Sequence, residues 1–172
     1  MSFSSTENIG YWLFYTQRCV AYAFAEVLSR YCEEHGKPYV ITPAQWGVLS
    51  LLFEQDGLTV GAISHSRGVD APTVTGIVKR LEQSKLVERL HDKQDRRVVK
   101  VYLTEEGRAI MPELIVEVGD LNESVVQSFS PEEQRDLLRK LQEIVVNLSK
   151  TGNGVGDRFG LLPKEVIFLA KE

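Results

Sequence analysis

Residues 58–103 read LTVGAISHSRGVDAPTVTGIVKRLEQSKLVERLHDKQDRRVVKVYL, and they constrain the fold more than any other stretch. Two short helical patterns flank the tight SRGVD turn, and two β-branched runs follow, joined by a highly charged tip. That order of elements outlines a helix-turn-helix with a β-wing. Residues 58–104 carry nine Lys/Arg against five Asp/Glu, a net of +4. The whole chain has 20 against 24, which leaves 11 against 19 elsewhere, a net of −8. A basic module inside an acidic chain suits duplex DNA, because phosphates need local cations and not a basic whole.

The rest of the composition sets bounds. At 172 residues the chain fits one domain with a proper core. Its 43% hydrophobic and 26% charged residues are ordinary for a globular protein. No apolar run approaches the ~18 residues that a membrane span needs. The start, MSFSSTENIG, has no basic region or small-residue cleavage site, so no secretory signal is expected. Two cysteines, Cys19 and Cys32, give no disulfide framework. The expectation is a cytoplasmic protein without a membrane partner.

A first helix is expected from about Thr6 or Glu7 to Glu34, ending before Gly36 and Pro38. Ile9, Leu13, Val20, Phe24, Val27 and Tyr31 form one apolar stripe, with Trp12, Tyr15, Cys19 and Tyr22 beside it. So wide an apolar arc needs cover on more than one side, either as a central core helix or as one shared with a partner subunit. Thr42-Pro43-Ala44-Gln45 spells a helix start with a capping box. Thr59 and Asp70 cap the next two helices, which run to about Arg67 and Ser84 with Gly68 between them. Leu86–His91 and Val98–Leu103 predict a two-stranded hairpin joined by DKQDRR. Thr104-Glu105-Glu106 starts a long helix to about Phe129 that Pro112 should bend or strain. Ser130-Pro131-Glu132-Glu133 repeats the capping box before the stripe Leu137, Leu141, Ile144 and Leu148. Beyond Lys150, TGNGVGDRFG reads as a linker, and LLPKEVIFLAKE as an apolar end that docks on its own chain or a partner subunit.

Placed about 100° apart, residues of the Ala71–Ser84 helix turn Val74, Ile77, Val78 and Leu81 to the core. Pro72, Gly76, Lys79 and Gln83 face away, flanked by Thr73, Thr75 and Arg80. A recognition helix reads bases mainly from its N-terminal residues. Thr73 and Thr75 are therefore the candidate base contacts, by hydroxyl or by methyl against thymine. Lys79 and Arg80 are the candidate phosphate contacts, with Ser64, His65 and Arg67 as weaker ones.

The strings ITPAQWGVLSLL, LTVGAIS, DAPTVTGIVKRLEQSKLVER, DKQDRR and YLTEEGRA resemble the multiple-antibiotic-resistance regulator (MarR) family of winged-helix transcription factors. With the flanking helices, the resemblance covers roughly residues 7–150. It implies a mainly α fold with a small β-wing, a winged helix-turn-helix domain plus long N- and C-terminal dimerisation helices. Residues 1–150 would form this DNA-binding and dimerisation domain, with its core at about 42–104 and dimerisation helices at about 7–34 and 105–150. Residues 151–172 would be a Gly-rich linker and an apolar C-terminal extension outside the resemblance. The resemblance also implies a wing arginine in the minor groove, Arg96 or Arg97, and Asp95 as the brace of the wing. It implies small aromatic acids or phenolic effectors bound between the dimerisation helices and the DNA-binding lobe. Here Tyr11, Tyr15, Arg18, Tyr22 and Trp46 would offer stacking surface and one cation for an aromatic carboxylate or its thioester. The same aromatics read equally well as core. One departure stands out. The family usually places Gly between recognition helix and wing, where this chain has Ser84-Lys85. A left-handed cap would cost a non-Gly residue up to ~2 kcal/mol, so a different local geometry is expected.

The reading reached is a homodimeric regulator, taken as a repressor, on a pseudo-palindromic DNA site and released by a small aromatic ligand. Two alternatives remain. One is redox control through Cys19 or Cys32, between subunits or by oxidation of one thiol. An intrachain bridge is excluded, since thirteen residues of helix span about 20 Å. Peroxide sensors of the family carry a reactive Cys near the start of the first helix, where this chain has Tyr11. The other is a protein-interaction module, which the cationic tip of Lys93, Arg96 and Arg97 argues against. His35, His65 and His91 show no metal-ligand spacing, no cofactor is expected, and no catalytic motif is present.

Overall fold

The computed structural model describes residues 7–150. Its elements are α1 (Ile9–Glu34), α2 (Pro43–Glu54), β1 (Leu58–Thr59), α3 (Val60–Arg67), α4 (Ala71–Gln83), β2 (Val87–His91), β3 (Val99–Leu103), α5 (Glu105–Val125) and α6 (Pro131–Lys150). The segment 151–172, expected to be a linker and an apolar extension, lies outside the described residues.

Helix starts follow local chemistry. Thr42 Oγ1 accepts the Gln45 N–H at 3.3 Å while Gln45 Oε1 accepts the Thr42 N–H at 2.8 Å, a complete capping box. Thr59, Asp70 and Thr104 each accept a backbone N–H three residues on. Ser130 and Glu133 reciprocate at 3.3 and 2.7 Å. Caps of this kind contribute about 1 kcal/mol each. Helix α1 is the exception. Its cap is Asn8, whose Oδ1 accepts the Tyr11 N–H at 3.2 Å, so it starts later than Thr6 or Glu7. Helix α5 passes through the exposed Pro112 and ends at Val125, short of Phe129.

The expected two-stranded hairpin is a three-stranded antiparallel sheet in the order β1-β3-β2. Leu58 pairs with Val101 and Thr59 with Lys100. Asp56 places this extra strand. Its Oδ1 accepts the N–H groups of Gly57 at 3.1 Å and Leu103 at 3.0 Å, and its Oδ2 meets Arg108 at 2.6 Å. Gly57 turns at φ 74°, where a Cβ would stand 2.7 Å from the Tyr102 ring.

The core joins α2, α3, α4, the sheet and the N-terminal half of α5 through Leu49, Leu52, Ile63, Leu81, Leu86 and Met111, all fully buried. Of α1, only Val27, Leu28, Tyr31 and Cys32 are buried. Tyr31 donates to Glu113 at 2.8 Å, and Arg30 meets Glu117 at 3.2 Å, which seams this end of α1 to α5. Burial and the Glu113 carboxylate push the Tyr31 hydroxyl well above its ordinary range. From Tyr11 through Tyr22 every residue of α1 is exposed, including Trp12 at 51% and Phe14 at 64%. The reading of α1 as a central core helix therefore holds only for its last turns. The large side chains of its first half are left exposed, and α6 likewise leaves Leu138, Leu141 and Leu148 exposed.

After α4 the departure from glycine does not change the geometry. Lys85 takes the left-handed conformation at φ 59°. Its N–H reaches the Glu82 carbonyl at 2.9 Å, and the Leu86 N–H reaches the Leu81 carbonyl at 2.9 Å. Those two bonds are a Schellman cap made with a lysine. Helix α5 closes on the same turn: Thr104 donates its N–H to the Leu86 carbonyl at 3.1 Å and its hydroxyl to the Lys85 carbonyl at 2.6 Å. A Cβ on Gly107 would run into the Leu86 carbonyl oxygen.

Two substitutions test this junction in opposite directions. Lys85→Gly should raise stability by about 0.5–1 kcal/mol, the relief of a left-handed non-Gly residue less the added freedom of the unfolded chain. Gly107→Ala should lower it by about 2 kcal/mol or more, because the obstacle is backbone. Urea midpoints at one protein concentration read both.

Candidate nucleic-acid interface

Helix α4 buries Val74, Ile77, Val78 and Leu81 and exposes Pro72, Thr73, Thr75, Lys79, Arg80 and Gln83, the division expected from the sequence. Asp70 organises its first turn. Its Oδ1 accepts the Thr73 N–H at 2.9 Å, and its Oδ2 accepts the Thr73 hydroxyl at 2.8 Å. Those two donors hold the Asp70 carboxyl below its ordinary range. Thr75 Oγ1 donates to the Ala71 carbonyl at 2.8 Å. No hydrogen bond or ion pair among the described residues engages the side chains of Lys79 and Arg80. Gly76 sits in the middle of this helix with open space where a Cβ would stand. Nothing in the chain requires a glycine there, although it costs helix stability.

The turn before α4 is made by Gly68 at φ 60° and by Ser64, whose Oγ donates to the Val69 carbonyl at 2.5 Å. Ser64 is half-buried, and its proton serves the turn, so it is the one predicted phosphate contact not presented with the cations. His65 and Arg67 are exposed. A Cβ on Gly47 would meet the Arg67 guanidinium, so that side chain lies across α2.

The wing tip is built on two aspartates. Asp92 Oδ1 accepts the N–H groups of Gln94 at 2.9 Å and Asp95 at 3.0 Å, and its Oδ2 meets Lys100 at 2.6 Å. The Lys100 ammonium and those N–H groups pull Asp92 down to about 2. Asp95 Oδ1 accepts both the backbone N–H and Nε of Arg97 at 3.0 Å, and its Oδ2 accepts Nη2 at 3.1 Å. The Arg97 side chain is nevertheless 91% exposed. One edge of the guanidinium is fixed and the other points to solvent. His91 Nδ1 donates to the Arg96 carbonyl at 2.7 Å, while the Arg96 side chain has no partner among the described residues.

Two groups escaped the sequence reading. Asp92 was detectable as the start of an Asp-x-x-Asp turn, since Asp side chains bind the N–H two residues on. Arg89 was not. It joins β2 to α4 through the Thr75 carbonyl at 3.4 Å and lies 3.3 Å from Glu82, a tertiary contact with no local signature.

The predicted ligand residues divide. Tyr11, Tyr15, Arg18 and Tyr22 share one exposed face of α1, where Tyr11 and Tyr15 stack at 6.0 Å and Arg18 lies 5.9 Å over Phe14. Trp46 stands apart on α2, edge-on to Phe24 at 6.2 Å. A cleft of about 490 Å³ lies at the wing, lined by Leu90, Asp92, Lys100 and Tyr102 among others. Cys19 is exposed, and burial pushes the thiol of Cys32 up. Among the described residues no group of three His, Cys, Asp or Glu could hold a metal ion, and no helix is long and apolar enough to cross a membrane.

Residues 41–99 match the family model described as MarR family. The HTH-type transcriptional regulator YsmB of Bacillus subtilis is 33% identical over 109 residues, 63% of this chain and 75% of that protein. Among solved structures, Bordetella bronchiseptica BpsR superposes with a TM-score of 0.70 at 25% identity, over 84% of this chain and 97% of its own. BpsR was solved for the regulation of its DNA binding by 6-hydroxynicotinic acid. A complex of S. aureus MepR with DNA matches with a TM-score of 0.66 at 25% identity, over 77% and 96% of the two chains.

The geometry makes two predictions. Gly76→Ala should stabilise the fold by about 0.5–1 kcal/mol yet weaken DNA binding, a trade read by urea melting beside fluorescence anisotropy. Replacing Arg96 and Arg97 together by Ala should weaken binding tenfold or more. The salt dependence should become shallower by about one unit of slope per lost phosphate contact.

Proposed function

Because the chain belongs to the MarR family of DNA-binding transcriptional regulators, we propose that it works as a homodimeric repressor on a pseudo-palindromic operator, released by a small aromatic acid. The observation that carries this reading is the exposure of large apolar side chains along the first half of α1. Trp12, Leu13, Phe14 and Tyr15 are all exposed, as are Leu138 and Leu141 of α6. Large apolar side chains left exposed in such number on two terminal helices point to a partner, and a second copy brings the identical surfaces. Terminal helices from both protomers would then cover each other and hold two recognition helices about one DNA turn apart, roughly 34–36 Å.

On the DNA, the N-terminal turns of α4 would enter the major groove, with Thr73 and Thr75 at the bases and Lys79 and Arg80 on phosphates. Arg97 is the better minor-groove arginine of the two. Its bond to Asp95 fixes one edge before binding, and a narrow A·T-rich groove attracts the free edge. Arg96 would take a backbone phosphate.

The effector class rests on the Tyr11, Tyr15, Arg18 and Tyr22 face, which offers rings and one cation at the edge of the proposed dimer. BpsR responds to a small aromatic acid, which supports the same class here. A ligand that releases DNA a hundredfold must prefer the DNA-incompetent state by about 2.7 kcal/mol.

Light scattering at micromolar concentration tests the assembly. The wild type should be a dimer, and Trp12→Glu combined with Leu13→Glu should give monomers that bind the operator far more weakly. A wild-type monomer with full operator affinity contradicts the reading. A screen of small aromatic carboxylates should find one that releases DNA from the wild type, whereas Arg18→Ala should keep DNA affinity and lose the response. Release by oxidation of Cys19, with none by any carboxylate, would favour redox control instead.

A further inference from the structure

The hydroxyl protons on the outer face of α4 are already committed, which limits the base edges it can read. Thr73 Oγ1 lies 2.8 Å from Asp70 Oδ2. An ionised carboxylate only accepts, so the single hydroxyl proton points at Asp70. Thr75 Oγ1 lies 2.8 Å from the Ala71 carbonyl, which also only accepts. Both threonines therefore present oxygen lone pairs and a γ-methyl, and no O–H donor, to an incoming groove. Redirecting the Thr73 proton would break a charge-assisted bond, roughly twice as strong as a neutral one. One turn on, Gly76 adds no side chain, so these groups can approach the groove floor.

In the major groove, adenine offers its N6 amine as donor, and thymine a methyl group. Guanine offers only the acceptors O6 and N7, which would face the threonine lone pairs without a proton between them. Cytosine offers its N4 amine but no methyl, so an A·T pair matches both the lone pairs and the γ-methyls and a G·C pair only the lone pairs. We propose that Thr73 and Thr75 make this helix select A·T pairs and reject guanine at the base pairs beneath its first turns. The inference rests on the reading of α4 as the groove helix and adds the chemical class of the operator positions it contacts.

Selection of bound duplexes from a random pool tests it, with the wild-type protein, Thr73→Val and Thr73→Ser run in parallel. Thr73→Val keeps the shape and the backbone N–H bond to Asp70, and Thr73→Ser keeps the hydroxyl if the valine variant folds poorly. Base pairs whose preference shifts in either variant are those that Thr73 reads, and they should be A·T. Replacing their adenine by purine, which lacks the N6 amine, should weaken wild-type binding about tenfold and Thr73→Val binding little. Replacing their thymine by uracil should weaken the wild type and leave Thr73→Ser unchanged. Guanine at those pairs, a loss on substituting 7-deazaguanine for it, or identical selections by all three proteins would overturn this inference alone. Failure of all three to select any duplex would overturn it together with the groove-helix reading.

Discussion

Recognition helix, wing and α5 meet in three residues, Ser84 to Leu86. The left-handed Lys85 lets the Leu86 N–H return to Leu81, which ends α4 and sends the chain straight into β2. The Leu86 carbonyl then accepts the Thr104 N–H, and Gly107 permits α5 to lie against it. A side chain at residue 107 would push α5 off the turn, and with it the register of β3, which ends one residue before the Thr104 cap. The relative placement of the two DNA-reading elements depends on this contact. Arg89 adds a second tie from β2 to the Thr75 carbonyl.

The charges of this module divide by task. Asp70 caps α4, Glu82 lies against Arg89, Asp92 holds Lys100 and two backbone N–H groups, and Asp95 holds Arg97. Four of its five acids thus serve the scaffold, and Lys79, Arg80, Lys93 and Arg96 are exposed with no ion pair among the described residues. The aspartates have depressed folded values, so what they contribute is present above the ordinary carboxylate range near 4. It is lost only as pH falls through the folded values, about 2 for Asp92. Across neutral pH the wing keeps its shape, and its field stays positive. A chain of net charge −4 can approach DNA because its excess acids lie in other segments.

What the sequence made legible was local. Thr42, Thr59, Asp70, Thr104 and Ser130 cap the helices they were expected to cap, because a cap needs only a side chain and an N–H three residues away. The apolar face of α4 followed from its period. Strand β1 was not legible, since two residues carry no alternation, and its placement depends on Asp56 reaching Leu103 and Arg108 far along the chain. Lys85 was misread for a different reason. Residue preference argued against the left-handed turn, and the packing of Leu86 and Thr104 overrode it. Periodicity showed that α1 is apolar over a wide arc but not what covers it, so the core reading failed for its first half. The candidate site divides the same way: Thr73, Lys79, Arg80 and Arg97 stand where the wheel and the hairpin put them, whereas Trp46 packs away from the α1 tyrosines.

Hydrogen exchange of the full chain, measured free and bound to its selected duplex, tests the central claim most directly. Residues 9–22 should be protected in the free protein, as a helix covered by a second copy would be. DNA should add protection at residues 70–80 and 92–97 and leave the first half of α1 unchanged. Fast exchange along α1 in the free protein, or a bound complex in which neither α4 nor the wing gains protection, would contradict the account.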